Sequence, residues 1–221
     1  AWSPDGERLA VIYKGDIWIA SAEGGTPVQI TKTPEHEIWL VWSPDGEMIA
    51  YMNRGGEEQI LHVISVSGGE AAKILDTSAG RGDRYAWSPD SKEIAVISEG
   101  VLSAFPIAGG KARQILDLKH QGFWNGYAWG LSWHPDGKYL AFVSANISQQ
   151  ERGDYEGIFM VPAEGGKFTV LVADDPGEKY TLYWSPDGKW LSYNSDRFVK
   201  TRPEGAIWEA DVSEFLKKSS D

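Results

Sequence analysis

One short phrase returns five times along this chain, and no other feature limits its fold so narrowly. It reads Trp2-Ser3-Pro4-Asp5-Gly6, Trp42-Ser43-Pro44-Asp45-Gly46, Trp87-Ser88-Pro89-Asp90-Ser91, Trp133-His134-Pro135-Asp136-Gly137 and Trp184-Ser185-Pro186-Asp187-Gly188, at intervals of 40, 45, 46 and 51 residues. A period of this length, filled with short apolar runs and turn residues, predicts an all-β chain: a β-propeller of four-stranded antiparallel blades with five repeats present. Each unit is too small to bury its own faces and must stack on the next. The repeat specifies a scaffold and leaves the chemistry to loops outside it.

Each unit divides into the same pieces. The Trp ends a first strand, and Ser-Pro-Asp-Gly makes a tight turn: Pro is pre-set for the second turn position, Asp bonds back to the turn backbone, and Gly takes a positive φ. Ser91 stands where the other repeats have Gly, so it must bear a positive φ or change the turn type; His134 stands where they have Ser. The second strand is centred on Leu9 to Ile12, Ile49 to Tyr51, Ile94 to Val96, Leu140 to Phe142 and Leu191 to Tyr193. These runs are apolar on both faces, as expected for a sheet covered on both sides. A small residue recurs within them at Ala10, Ala50, Ala95, Ala141 and Ser192, which allows close approach of the next blade. The third strand follows at Ile17 to Ala20, Ile60 to Val66, Val101 to Ile107, Gly157 to Val161 and Ala206 to Ala210. In four repeats paired glycines (Gly24-Gly25, Gly68-Gly69, Gly109-Gly110, Gly165-Gly166) then turn the chain into a fourth strand.

The fifth repeat departs from this plan. After Trp208 to Asp211 there is no Gly-Gly, and Asp211 with Glu214 has capping-box spacing ahead of Phe215-Leu216, which predicts a short helical tail over 213–221. The repeats are expected at about 1–33, 34–78, 79–118, 119–174 and 175–212, forming a single domain. Residue 1 already lies in an inner strand, so the propeller is expected to have an additional upstream strand or blade, and the chain reads as a trimmed segment.

Composition removes several function classes. A net charge of −11 argues against nucleic-acid binding, which needs a basic field. No apolar run approaches membrane-spanning length. With no Cys there is neither a disulfide nor a thiolate metal site. Two loop histidines, His36 and His120, without a paired acidic cluster do not make a metal site, and the repeated Asp lacks the alternating spacing of a calcium loop. Nucleophile-elbow, zinc-protease, Walker and dinucleotide motifs are absent, so no catalytic residues and no cofactor are expected.

In a four-stranded meander the connections 1–2 and 3–4 leave at one end and 2–3 and 4–1 at the other. The first set are the monotonous Pro-Asp-Gly and Gly-Gly turns. The second set vary: Asn53 to Glu58, Thr77 to Arg84, Asp117 to Gly126, Ala145 to Glu156 and Asp196 to Gly205. Variable loops on a rigid scaffold are where binding is built. The segment Asp117 to Trp129, with His120, Phe123, Trp124 and Tyr127, reads either as an aromatic platform for a ligand or as a lid packed into the fold. Arg197, Lys200 and Arg202 form a local basic cluster that either clamps an acidic group or is solvated. Two Arg-Gly-Asp tripeptides, at Arg81 and Arg152, are explained by turn composition. The contact residues expected on this face are Trp124, Tyr127, Arg152, Tyr155, Arg197 and Arg202.

The W-S-P-D-G-x-x-[LI]-A pattern, followed by I-W-[IV] and E-G-G, resembles the WD-like propeller repeats of TolB-like proteins along essentially the whole chain. The resemblance implies a non-enzymatic, periplasmic or secreted bacterial propeller, often of six or more blades, that binds a protein or peptide partner and does not insert in membranes. Similar repeats form the accessory gating propellers of prolyl oligopeptidase-like and tricorn-like serine peptidases, whose catalytic domain lies elsewhere. Oligogalacturonate lyases are a third relative; that resemblance implies a channel metal held mainly by His, for which the four His of this chain supply too few candidates. A small-molecule or sugar-binding site in the channel is the remaining alternative.

Overall fold

The computed structural model describes residues 1–55, 58–77, 85–123, 128–145, 156–173, 179–195 and 206–212. The tail 213–221, expected to be helical, lies outside them. The described residues form five antiparallel sheets in which every hydrogen-bonded pair of strands is consecutive in sequence. The first sheet holds β1 (Arg8–Tyr13), β2 (Asp16–Ser21) and β3 (Val28–Gln29); the second β4 (His36–Trp42), β5 (Met48–Gly55), β6 (Glu58–Ser65) and β7 (Ala72–Thr77). The third holds β8 (Tyr85–Trp87), β9 (Glu93–Ser98), β10 (Val101–Pro106) and β11 (Arg113–Asp117). The fourth holds β12 (Trp129–Trp133), β13 (Tyr139–Ala145), β14 (Glu156–Pro162) and β15 (Thr169–Val172), and the fifth β16 (Lys179–Trp184), β17 (Trp190–Ser195) and β18 (Ala206–Asp211). The truncated first strand expected before β1 is present as a single bridge between Trp2 and Leu9, extended by Ala10 N donating to Ala1 O at 2.9 Å.

The repeated turn is built as its residue types require. In the first repeat Gly6 N donates to Ser3 O at 2.9 Å, the Ser3 hydroxyl donates to Asp5 Oδ1 at 2.5 Å, and Asp5 Oδ1 also accepts from Glu7 N at 3.0 Å. The second repeat reproduces this set at Ser43, Asp45, Gly46 and Glu47. Ser91 does adopt the positive φ, at 60°. In the fourth repeat the His134 imidazole takes the place of the serine hydroxyl, with Nδ1 2.7 Å from Asp136 Oδ1. The paired glycines all lie at φ between 82° and 121°, a region that Cβ-bearing residues avoid.

Contacts divide the chain into two compact units: Ala1–Gly82 with Asp90–Lys92 and Ile107–Gly109, and Asp83–Pro89 with Glu93–Pro106 and Gly110–Asp221. The core of the first is built around Ala10, Ile17, Trp42, Ile49, Tyr51 and Ile64. Here β1 departs from the expected two-sided burial: Val11, Ile12 and Tyr13 are exposed. In the second unit one cluster gathers Ala95, Leu102, Leu116, Trp133, Phe142 and Phe159, and another Ala141, Ile158, Leu182, Leu191 and Tyr193. The small residues Ala10, Ala50, Ala95 and Ala141 are all fully buried, as close sheet-on-sheet packing demands.

Within each unit, successive sheets are tied laterally through the repeat itself. The Trp42 indole donates to Ala1 O at 3.0 Å, and the equivalent Trp184 indole donates to Ser132 O at 3.4 Å. Arg8 donates to Gly46 O at 2.9 Å with its guanidinium 5.0 Å from the Trp42 ring centroid. The two positions that break the motif serve the same purpose. Ser91 Oγ accepts from Asp45 N at 3.0 Å, and His134 Nε2 lies 3.0 Å from Gly188 O with its ring edge-on to Trp184.

Candidate functional site: the loop-bearing end of the sheets

The end of each sheet away from the Ser-Pro-Asp-Gly turns carries the connections that differ between repeats. Two of them are minimal turns within the described residues: Lys14-Gly15 joins β1 to β2 with φ of 54° and 94°, and Glu99-Gly100 joins β9 to β10 with φ of 51° and 81°. Both central residues are left-handed, the geometry that matches hairpin twist. The variable loop expected over Asn53 to Glu58 is not one: β5 runs on to Gly55 and β6 begins at Glu58, and Asn53, Arg54 and Gly55 pair with Ile60, Gln59 and Glu58. The corresponding connections of the fourth and fifth sheets run over 146–155 and 196–205. The six expected contact residues, Trp124, Tyr127, Arg152, Tyr155, Arg197 and Arg202, lie in 124–127, 146–155 and 196–205, outside the described residues, as do both Arg-Gly-Asp tripeptides.

In the first unit this end is organised around Glu37, near the start of β4. Glu37 is 1% exposed, and its amide donates to Gly15 O at 2.9 Å. Thr33 bridges two carboxylates: its hydroxyl donates to Glu37 Oε1 at 2.7 Å and its amide to Asp16 Oδ1 at 3.2 Å. Asp16 Oδ2 accepts from Gln29 Nε2 at 2.8 Å, whereas no donor stands within hydrogen-bond geometry of Glu37 Oε2 among the described residues. Burial raises the Glu37 carboxyl above its ordinary range; hydrogen bonds from Thr33, its own backbone and Thr31 oppose this, and the charge of Asp16 adds to it. Burial, followed by the charges of Glu37 and Glu35, pushes the Tyr51 phenol up to about 12. The His36 ring closes over Gly15, where any Cβ would stand 2.6 Å from His36 Nδ1.

Just beyond Glu37, β4 carries a bulge between Ile38 and Val41, and Trp39 within it has a φ of 53° with 38% of its surface exposed. The same bulge recurs in β12 between Trp129 and Ser132, where the left-handed residue is Gly130 at φ 58°. A Cβ-bearing aromatic in this conformation is an outlier that invites a functional account.

In the second unit the segment after β11 is a compact turn. Asp117 holds it, accepting from His120 N at 3.1 Å on Oδ1 and lying 2.6 Å from His120 Nδ1 through Oδ2; these bonds lower the Asp117 pKa. His120 is exposed, but Phe123 is 2% exposed and packs edge-on against Phe142 and Phe159 with ring centroids 5.5 and 4.9 Å away. Of the two readings given to this segment, Phe123 therefore follows the core one. Lys179, at the start of β16, is fully buried.

The sequence reading missed Asp16, Thr33, Glu37 and Trp39. The signal was available by comparing repeat columns. Five residues before the motif Trp stand Glu37, Gly82, Ala128 and Lys179, and three residues before it Trp39 faces Gly130. Among the described residues there is no group of three or more His, Asp or Glu side chains able to hold a metal ion, and no helix long and apolar enough to cross a membrane.

No family model matches the sequence. A protein of Bacillus subtilis named as the uncharacterized peptidase YuxL is 28% identical over 88% of this chain and 29% of its own length. An uncharacterized protein of Agrobacterium fabrum, Atu1656, is 32% identical over 48% of this chain and 33% of its own. The chain thus spans about a third or less of the curated relatives it matches. Among solved structures, a protein assigned as TolB from Agrobacterium tumefaciens superposes with a TM-score of 0.71 at 21% identity, over 95% of this chain and 75% of that one. TolB from Acinetobacter baumannii gives 0.67 at 16%, over 94% and 50%, and the tricorn protease 0.63 at 15%, over 92% and 20%. The chain has the fold of the TolB-like propellers.

Proposed function

We propose that this chain is a non-catalytic, TolB-like propeller segment that binds a protein or peptide through the loops at one end of its sheets. The observation that carries the reading is the contrast between the two ends. One end repeats a single turn with the same hydrogen bonds from repeat to repeat; the other ranges from two-residue hairpins to connections spanning 146–155 and 196–205. A scaffold held constant at one end and varied at the other is suited to recognition. The contact residues are Trp124, Tyr127, Arg152, Tyr155, Arg197 and Arg202. Peptides selected from a random display library against the whole chain provide the test. Trp124→Ala and Arg202→Ala are each expected to weaken the selected peptides at least about 10-fold, the loss typical of a central contact, with thermal unfolding unchanged. Affinity equal to that of the parent would remove the assignment.

A second reading is favoured by one observation, the 28% identity to YuxL along 88% of this chain. The segment is then the accessory propeller of a serine peptidase, and the same loop end meets peptide on its way to a catalytic domain. The coding sequence on either side decides between the two, since only this reading requires a neighbouring domain with a nucleophile elbow.

A further inference from the structure

We propose that the outer face of the first sheet seats a complete further sheet of the same repeat, contributed by the polypeptide that precedes Ala1. Three interfaces between successive sheets follow one rule. The face with the motif Trp and the residues seven and nine places after it packs on the preceding sheet, on the face with the recurrent small residue. Trp42, Ile49 and Tyr51 meet Ala10, Ile17 and Ile19; Trp133, Leu140 and Phe142 meet Ala95, Leu102 and Ala104; Leu191 and Tyr193 meet Ala141 and Ile158. In the first sheet the same columns hold Trp2, Leu9 and Val11, with Trp18 opposite Val11 and Tyr13 two residues further on. Trp2 is 59% exposed against 6% for Trp42 and 8% for Trp133, and Val11 37% against 2% for Tyr51 and 0% for Phe142. Tyr13 is exposed beside them, its ring edge-on to Trp18. A contiguous apolar face that the other repeats bury marks an interaction surface.

The occupant follows from continuity with those interfaces. Each motif-Trp face seats on the sheet that comes before it in sequence, so the cover of the first sheet precedes Ala1. An upstream strand alone does not suffice: it would bond to a sheet edge and leave the face bare, because faces are covered by a layer about 10 Å away. The covering face needs a small residue among apolar ones, as at Ala10, Ala95 and Ala141, for Trp2 and Val11 to approach. A second copy of the chain fits poorly. Its first sheet presents the same bulky columns, and its fifth carries polar Ser192 and Asn194 where the fourth has Ala141 and Val143. The lateral ties specify the neighbour further. The Trp42 and Trp184 indoles donate to the carbonyl just before the preceding motif Trp, at Ala1 and Ser132. Gly46 O accepts from Arg8, six residues after its motif Trp, and Gly188 O lies 3.0 Å from His134 Nε2, one residue after its own. The Trp2 indole and the Gly6 carbonyl are the corresponding groups of the first sheet. The preceding repeat is expected to offer a carbonyl to one and a side-chain donor to the other.

The chain has no Cys, so a single introduced thiol reports whether the face is covered. The test uses the full-length protein as its gene encodes it, with any other cysteine replaced by serine and a maleimide as the probe. Val28→Cys is the reference, an exposed site opposite Ile19 and so on the other face of the first sheet. Val11→Cys is expected to react at least about 100-fold more slowly than this reference, because reaction must await local opening. Dilution should leave the ratio unchanged, and removing the residues before Ala1 should abolish it. Similar rates at the two sites in the full-length protein overturn the inference. Protection lost on dilution does the same and assigns the face to a second copy. Protection that survives removal of the residues before Ala1 also overturns it, since the cover then lies within the 221 residues. So does a coding sequence with no Trp-x-Pro-Asp turn at the repeat interval, 40 to 51 residues, ahead of Trp2. If Val11→Cys does not fold, Tyr13→Cys on the same face carries the same comparison.

Discussion

Gly6 and Gly188 occupy the same place in the repeated turn, at φ of 75° and 70°, and each amide donates to the serine carbonyl three residues back, at 2.9 and 2.8 Å. They differ in what lies above them. A Cβ on Gly6 meets nothing within 4 Å among the described residues, whereas a Cβ on Gly188 would stand 2.5 Å from Nε2 and 2.6 Å from Cε1 of His134. Gly6→Ala therefore incurs only the left-handed backbone penalty, about 1 kcal/mol. Gly188→Ala incurs that penalty and must also displace an imidazole that is 4% exposed and tied at both nitrogens, to Asp136 and to Gly188 O. Losing the bond to Gly188 O adds about 1 kcal/mol, and the overpacking about 1–2 kcal/mol more. The total of about 3–4 kcal/mol corresponds to roughly 10 °C in melting temperature for a chain of this size, against roughly 3 °C for Gly6→Ala. Urea and thermal unfolding, followed by both circular dichroism and tryptophan fluorescence, measure the difference, provided the two probes coincide. His134→Ser in the Gly188→Ala background restores the residue used by the other repeats and removes the obstacle, so it should recover all but the backbone penalty. Equal destabilisation by the two alanines, within about 0.5 kcal/mol, would show that His134 yields freely and that the lateral tie is not a constraint.

Acid should weaken the repeated turns. The Ser185 hydroxyl, then the Lys189 amide, hold Asp187 at about 2, and the Ser3 hydroxyl likewise lowers Asp5. A folded value below the unfolded one, near 3.9, means the contribution is complete above about pH 4 and is lost as pH falls towards 2. Glu37, raised by burial, has the opposite sign: protonating it favours the folded state. The urea midpoint should fall between pH 4 and 2, less steeply in Asp187→Asn; an unaltered slope in that variant would reject the assignment. Thr31→Val tests a buried joint of the first sheet, because Thr31 Oγ1 accepts from Ile17 N at 2.7 Å and both residues are buried. Valine leaves that amide without its partner, for an expected loss of about 1–3 kcal/mol, whereas serine should retain most of the stability.

What could be read from the chain alone were features carried by local chemistry and repeated. The Ser-Pro-Asp-Gly turn, the paired glycines and the short apolar runs each state their own backbone preference. Repetition made them legible as successive antiparallel sheets, and it also marked Ser91 as a residue that must take a positive φ or change the turn type; it takes the positive φ. The uses of Ser91 and His134 as ties to neighbouring sheets were hidden, because a partner 46 or 54 residues away leaves no mark in the local sequence. Phe123 looked as suitable for a ligand platform as for a core, and only the rings of Phe142 and Phe159 around it decided. Glu37 stood in the sequence as one acidic residue among 32. Its burial and the threonine shared with Asp16 exist only once β4 is packed beside the start of β2. Local turn and strand preferences act over a few bonds and are written residue by residue; desolvation and charge pairing depend on which distant segments close around a group, and that is settled only by tertiary packing.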